Sequence, residues 1–188
     1  MKALIIHGTC SKKEYFSDKY PSLSNSHWFP WLQKQLLKRS IFTQTPEMPD
    51  AFCPNYGKWK EEFERFCVDE DTILIGHSCG GGFLVRWLSE NKVKPLKLIL
   101  VAPWLDPGKK KTTDFFEFAI DGNLSDRTCI YMFISEDDSK DILKSTEIIQ
   151  NDISKINVCK FKNKGHFTYN DMKTHAFPEI LKVILSKK

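Results

Sequence analysis

The stretch Asp71-Thr72-Ile73-Leu74-Ile75-Gly76-His77-Ser78-Cys79-Gly80-Gly81-Gly82-Phe83-Leu84-Val85-Arg86-Trp87-Leu88 carries three patterns in succession. Thr72 to Ile75 is an apolar run with the length and β-branching of a buried strand. A Gly-x-Ser-x-Gly turn follows, and Phe83, Leu84, Trp87 and Leu88 then recur at helical spacing. Strand, glycine turn and helix in that order form a nucleophile elbow. Glycines at 76 and 80 let the chain reverse sharply enough to lift the Ser78 hydroxyl above the end of the sheet. Gly80 to Gly82 would each cost about 1 kcal/mol relative to alanine near a helix start, so close approach of helix to strand has to offset them.

A serine hydroxyl is a weak nucleophile at neutral pH, and it needs a base held in the right tautomer by a third group. Ser135-Glu136-Asp137-Asp138-Ser139 follows a predicted strand at Cys129 to Ile134. Lys164-Gly165-His166-Phe167 follows another at Asn157 to Phe161. Both loops lie at carboxyl ends of strands, where open α/β sheets collect their functional residues. The order Ser, acid, His is that of α/β-hydrolases and of neither chymotrypsin-like nor subtilisin-like proteases. Asp138 is the preferred acid and Asp137 the alternative, while Asp138 or Ser139 could also serve as a helix N-cap. His166 is the preferred base, with His175 behind it. An oxyanion hole would use the backbone amides of Cys79 and of Thr9 or Cys10, with Gly8 permitting the turn. The Cys79 thiol reads as packing, and His77 as a structural hydrogen-bonder.

Elsewhere, strands are predicted at Lys2 to Ile6, Ile41 to Gln44 and Leu96 to Val101. Helices are predicted at Trp28 to Lys38, Lys58 to Cys67, Cys79 to Asn91, Asp141 to Ile153 and Ala176 to Ser186. Strands alternating with helices point to a parallel sheet covered on both faces. Pro46, Pro49 and Pro54 make the stretch after the second strand an irregular loop. The segment Trp104 to Arg127, with Phe115, Phe116 and Phe118, is the one short candidate for a cap.

At 188 residues the chain fits one domain. Its net charge of +4 is modest, and Lys109 to Lys111 reads as a solvated loop, which argues against nucleic-acid binding. The run Ala3-Leu4-Ile5-Ile6 is too short for a signal peptide, and no stretch reaches membrane-span length. Six cysteines without a Cys-x-x-Cys pair fit a reduced, cytoplasmic compartment.

The chain resembles the small serine-hydrolase family of the α/β-hydrolases, which includes the retinoblastoma-binding serine hydrolase of vertebrates and bacterial proteins of similar size. The resemblance rests on His7-Gly8, Trp28 through Trp31-Leu32, Pro46-Glu47-Met48-Pro49, Trp59, Gly76-His77-Ser78-Cys79-Gly80-Gly81, Asp137-Asp138 and Gly165-His166-Phe167. It implies a Ser78-Asp138-His166 triad without a large lid. Relatives often carry Val-Pro or Leu-Pro after the acidic pair, where this chain has Ser139-Lys140-Asp141-Ile142.

The expectation is therefore one domain over residues 1–188, a three-layer α/β/α sandwich with six parallel strands in the order 2-1-3-4-5-6. Ser78 would attack a small ester or related acyl bond and form an acyl-enzyme intermediate, without metal or organic cofactor. A shallow pocket would favour short acyl groups. The rival reading is a module that keeps the fold to bind a protein partner with little or no turnover.

Overall fold

Short apolar runs separated by helical segments build one sheet in the computed structural model, which describes residues 1–109, 111–112 and 114–186. The strands are β1 (Lys2–Ile6), β2 (Phe42–Gln44), β3 (Thr72–His77), β4 (Lys97–Val101), β5 (Cys129–Ser135) and β6 (Ile156–Phe161). They lie in the order β2-β1-β3-β4-β5-β6, and every neighbouring pair is parallel. β3 is buried at all six positions, as a strand covered on both faces must be. The edge strand β6 is only partly covered. Strand order reverses between β1 and β3, which opens a crevice at their carboxyl ends.

The helices are α1 (Lys12–Tyr15), α2 (Phe29–Leu37), α3 (Tyr56–Phe63), α4 (Cys79–Glu90), α5 (Leu124–Arg127), α6 (Lys140–Asp152), α7 (Tyr169–Met172) and α8 (Pro178–Leu185). Register places His77, Val101 and Phe133 in one row across the sheet. The His77 ring meets Trp28 and the Phe133 ring meets Phe177, so the segments entering α2 and α8 cover that face. Gly76, one residue earlier, faces the other way and lies against the start of α4. Behind α4, Phe63 of α3 packs edge-on to Phe83 and Trp87. Helix, sheet and helix thus form the three expected layers.

Boundaries shift by one to four residues. Asn55 caps α3 by accepting the Lys58 amide, so that helix starts ahead of Lys58 and ends at Phe63. The turns α1, α5 and α7, and a 3-10 turn at Leu23–Asn25, are too short to show a period in sequence. The candidate cap behaves differently from a lid. Phe115 is fully buried against Tyr56, Trp59 and Phe83, and Phe116 rests on Trp104. Arg86 reinforces this by stacking its guanidinium 3.6 Å from the Tyr56 ring centroid and donating to the carbonyls of Asp114 and Phe115. The segment therefore plugs the α3/α4 side of the core. Lys110 of the basic run lies outside the described residues.

Lys97 is buried in β4, where its ammonium donates to the carbonyls of Val183, Ile184 and Ser186 and to the Ser186 hydroxyl. These are carbonyls at the end of α8 that no further helical turn can satisfy. Lys97→Met should lower stability by about 3 kcal/mol, since several acceptors lose a charged donor in a dry place. A urea titration would show a lower midpoint with unchanged slope; an unaltered midpoint would mean the ammonium is dispensable.

Candidate active site

Ser78 sits between β3 and α4 with φ 55° and ψ −123°, a left-handed backbone that L-residues seldom adopt. Such a conformation costs about 1–3 kcal/mol and persists because its surroundings over-determine it. The Ser78 amide donates to the Val101 carbonyl at 2.9 Å. Its carbonyl accepts from the amides of Gly81, Gly82 and Trp104. A Cβ on Gly76 would lie 2.6 Å from the Gly80 carbonyl oxygen, and one on Gly80 would overlap the carbonyl oxygens of Ile6 and His7. A Cβ on Gly82 would collide with the Trp104 carbonyl. The glycines thus let α4 start directly against β1, β3 and the loop after β4.

Ser78, His166, Asp138 and Thr9 line one cleft of about 370 Å³, together with Trp104, Lys111 and Ile142. His166 Nδ1 is 2.9 Å from Asp138 Oδ2. The Asp138 side chain is 3% exposed and the His166 side chain 30%, so the carboxylate lies behind the ring and the ring faces the cleft. Asp137 turns elsewhere. Its Oδ1 accepts from the Ser135 hydroxyl at 2.5 Å and from the Gly165 amide at 3.0 Å, which hold the carboxyl below its ordinary range, the Ser135 bond foremost. One acid therefore holds the histidine ring and the other holds the histidine loop. Ser139 acts as the N-cap of α6 by accepting the Ile142 amide.

The loop carrying His166 contains two left-handed residues, Gly165 at φ 48° and Phe167 at φ 56°. It is pinned on several sides. Ser135 Oγ accepts the Lys164 amide, and Asp171 Oδ2 accepts the amides of His166 and Thr168. His77 Nε2 lies 2.8 Å from the His166 carbonyl. Because a carbonyl only accepts, His77 must carry its proton on Nε2 there. Burial keeps this imidazole well below its usual pKa, hence neutral. Sequence reading missed Ser135 and Asp171. For Asp171 a signal existed, since Thr168-x-x-Asp171 is a capping box at the start of α7.

His7 is the corresponding strut for the loop after β1. Its Nδ1 donates to the Gly8 carbonyl at 2.7 Å, and its Nε2 accepts the Met48 amide at 2.8 Å. Glu47 in turn accepts the amides of Leu23 and Ser24. The Pro49 carbonyl accepts from Trp59 Nε1, so the segment Pro46 to Pro49 is tied to His7, to the 3-10 turn at Leu23–Asn25 and to α3. Cys79 is buried as the first residue of α4, and at that position no intrahelical acceptor exists for its amide. His175 is engaged outside the cleft, with Nδ1 on the His27 carbonyl and its ring stacked on Tyr169. Among the described residues no group of three or more His, Cys, Asp or Glu is arranged to hold a metal. Among the same residues no helix is long and apolar enough to cross a membrane. All six cysteines are free thiols.

His27 lies beside His77 and is pushed down to about 4, first by burial and then by the nearby His166. It is neutral when folded and titrates near 6.5 when unfolded. Its share of stability is therefore complete above about pH 6.5 and is lost as pH falls toward 4, by at most about 3 kcal/mol. His77 and His7, also lowered by burial, act in the same direction. Asn suits the left-handed backbone at this position, φ 57°, so His27→Asn should flatten the acid-side loss of stability. Denaturation midpoints at pH 4.5 and 7.5 would check this, and an equally steep loss in the variant would contradict it.

A family profile described as serine hydrolase matches residues 19–185. An 86-residue stretch is 29% identical to YdeN of Bacillus subtilis (strain 168), and that stretch covers 45% of each chain, less than half of the relative's length. The crystal structure of the ydeN gene product superposes with a TM-score of 0.81 at 21% identity, over 97% of this chain and 96% of the other. An alpha-beta serine hydrolase homologue from Coxiella burnetii gives 0.65 at 17% identity, over 98% and 85%. Est1E from Butyrivibrio proteoclasticus with bound ferulic acid gives 0.65 at 13%, over 99% and 90%. These three likenesses show the fold.

Proposed function

Because the chain belongs to the serine hydrolase family of the α/β-hydrolases, we propose that it cleaves small esters or related acyl bonds with Ser78 as nucleophile, His166 as base and Asp138 as the acid that orients the base. The observation carrying this reading is the 2.9 Å contact from Asp138 to His166 Nδ1 in a cleft that Ser78 also lines. Bonding Nδ1–H to a carboxylate leaves Nε2 as the lone-pair nitrogen, which can take the Ser78 proton as the hydroxyl attacks an acyl carbonyl. The tetrahedral oxyanion would be met by the amides of Cys79 and Thr9, with the positive end of the α4 dipole behind the first of them. Collapse expels the alcohol, protonated by His166, and leaves Ser78 acylated. Water activated by the same imidazole then releases the acid.

A cleft of about 370 Å³, bordered by a segment that buries Phe115 inward, favours short acyl groups over long chains. The reading includes thioesters and amides, requires no cofactor, treats residues 1–188 as one catalytic domain, and assigns the chain to a reduced cytoplasmic setting. Its test is a panel of p-nitrophenyl esters from acetate to palmitate. Short esters should be turned over fastest, and Ser78→Ala should lower kcat/KM by about 1,000-fold or more. Faster cleavage of long chains would overturn the small-acyl assignment. Absence of Ser78-dependent turnover of any ester, thioester or amide would leave the fold as a protein-interaction module.

A further inference from the structure

A second cavity, of about 520 Å³, adjoins the cleft, and the two share Thr9, Trp104 and Lys111 as a common wall. Ser11, Phe52 and Thr112 complete its lining together with Cys10 and Pro54. The Lys111 ammonium lies 5.6 Å from the Trp104 ring centroid. Its neighbour Lys109 reaches Glu117 at 4.0 Å, whereas among the described residues no carboxylate approaches Lys111 within ion-pair distance. The side chain is thus a cation held by a ring face, with its charge open to an incoming anion.

Its backbone is anchored. Asp106 is 3% exposed, and its Oδ2 accepts the amides of Lys111 and Thr112, both at 2.8 Å, and the Thr112 hydroxyl at 3.0 Å. At the other end of the loop, the Trp104 amide donates to the Ser78 carbonyl at 3.0 Å. One buried carboxylate and one elbow hydrogen bond therefore set the position of Lys111 relative to the serine. Two acids line the cleft beside Lys111: the carboxylate of Asp138 is committed to His166, and Asp141 stands in the first turn of α6.

We propose that the second cavity is a subsite for the end of the ester remote from the scissile bond, and that Lys111 selects substrates carrying a carboxylate there, such as monoesters of short dicarboxylic acids. This rests on the Ser78 reading. The chemistry stays hydrolysis, in which water adds across the acyl bond and the remote carboxylate leaves unchanged with its half of the product.

Two matched pairs of probes test it: p-nitrophenyl hemiglutarate against p-nitrophenyl valerate, with the charge on the acyl side, and 4-acetoxybenzoate against phenyl acetate, with the charge on the leaving side. The readout is the ratio of kcat/KM for the anionic ester over its neutral partner. For at least one pair, Lys111→Met should lower that ratio by about fivefold, Lys111→Glu should lower it further, and Lys111→Arg should preserve it. The wild-type ratio should also fall as ionic strength rises. Ratios unmoved by all three substitutions in both pairs, while hydrolysis still depends on Ser78, would overturn the subsite and leave the catalytic reading intact. Hydrolysis independent of Ser78 would overturn the catalytic reading instead.

Discussion

Asp138→Asn is expected to lower kcat on a short ester by about 1,000- to 10,000-fold, while Asp137→Asn stays within about tenfold of the native enzyme. The two acids are neighbours with opposite tasks. Asparagine at 138 is nearly the same shape and can still reach His166 Nδ1, but it loses the charge that stabilises imidazolium. Its amide can also donate to Nδ1, which moves the ring proton to Nε2 and removes the lone pair that Ser78 needs. Asparagine at 137 keeps an oxygen able to accept from Ser135 and Gly165, so the His166 loop retains its bonds. Steady-state kinetics with circular dichroism of both variants would decide the matter. A larger loss at 137 than at 138 would transfer the catalytic role to Asp137.

Gly80→Ala is expected to cost about 3 kcal/mol or more and to remove most of the activity, in contrast to Gly81→Ala. A methyl at 80 has nowhere to go, because the carbonyl oxygens of Ile6, the last residue of β1, and of His7 just after it are backbone atoms that cannot rotate aside. Either α4 moves off the sheet or β1 bends, and both routes carry Ser78 and the amide of Cys79 away from Thr9. At Gly81 the added Cβ would meet Pro103 Cβ at 3.0 Å, Pro103 Cα at 3.1 Å and the Gly76 carbonyl oxygen at 3.2 Å, tight contacts that a shift of a few tenths of an ångström relieves. Alanine's helix propensity, worth about 1 kcal/mol, then works in its favour. Urea denaturation and ester turnover of the two variants supply the comparison. Equal stability would contradict the close packing of α4 on β1.

The sheet was readable in the sequence because burial on both faces demands unbroken apolar runs. β1 falls at Lys2–Ile6 as its pattern predicts, and β3 and β5 exceed their predicted spans only by residues leading into the functional loops. The elbow was readable for the same reason that Gly80→Ala should fail, since only glycine fits where backbones touch. Less legible was the division of labour between Asp137 and Asp138. Adjacent residues in a turn point in different directions, and no pattern of residue types states which one meets the ring. Phe115 to Phe118 had the composition of a cap, yet Phe115 is drawn into the space left by Tyr56, Trp59 and Phe83, an outcome set by packing between distant segments. His77 is the structural hydrogen-bonder its place in the sequence suggests, but its partner, the His166 carbonyl, and the Met48 amide that His7 accepts lie far along the chain, which sequence spacing does not encode.

Every step of the proposed hydrolysis depends on the hydroxyl of Ser78, activated by His166, being the group that attacks. Labelling the intact protein with a fluorophosphonate and mapping the adduct by peptide mass spectrometry addresses it directly. One adduct per chain is expected, on Ser78, formed more slowly by about 1,000-fold or more in His166→Ala. An adduct on another residue, or a rate at Ser78 that does not depend on His166, would contradict it.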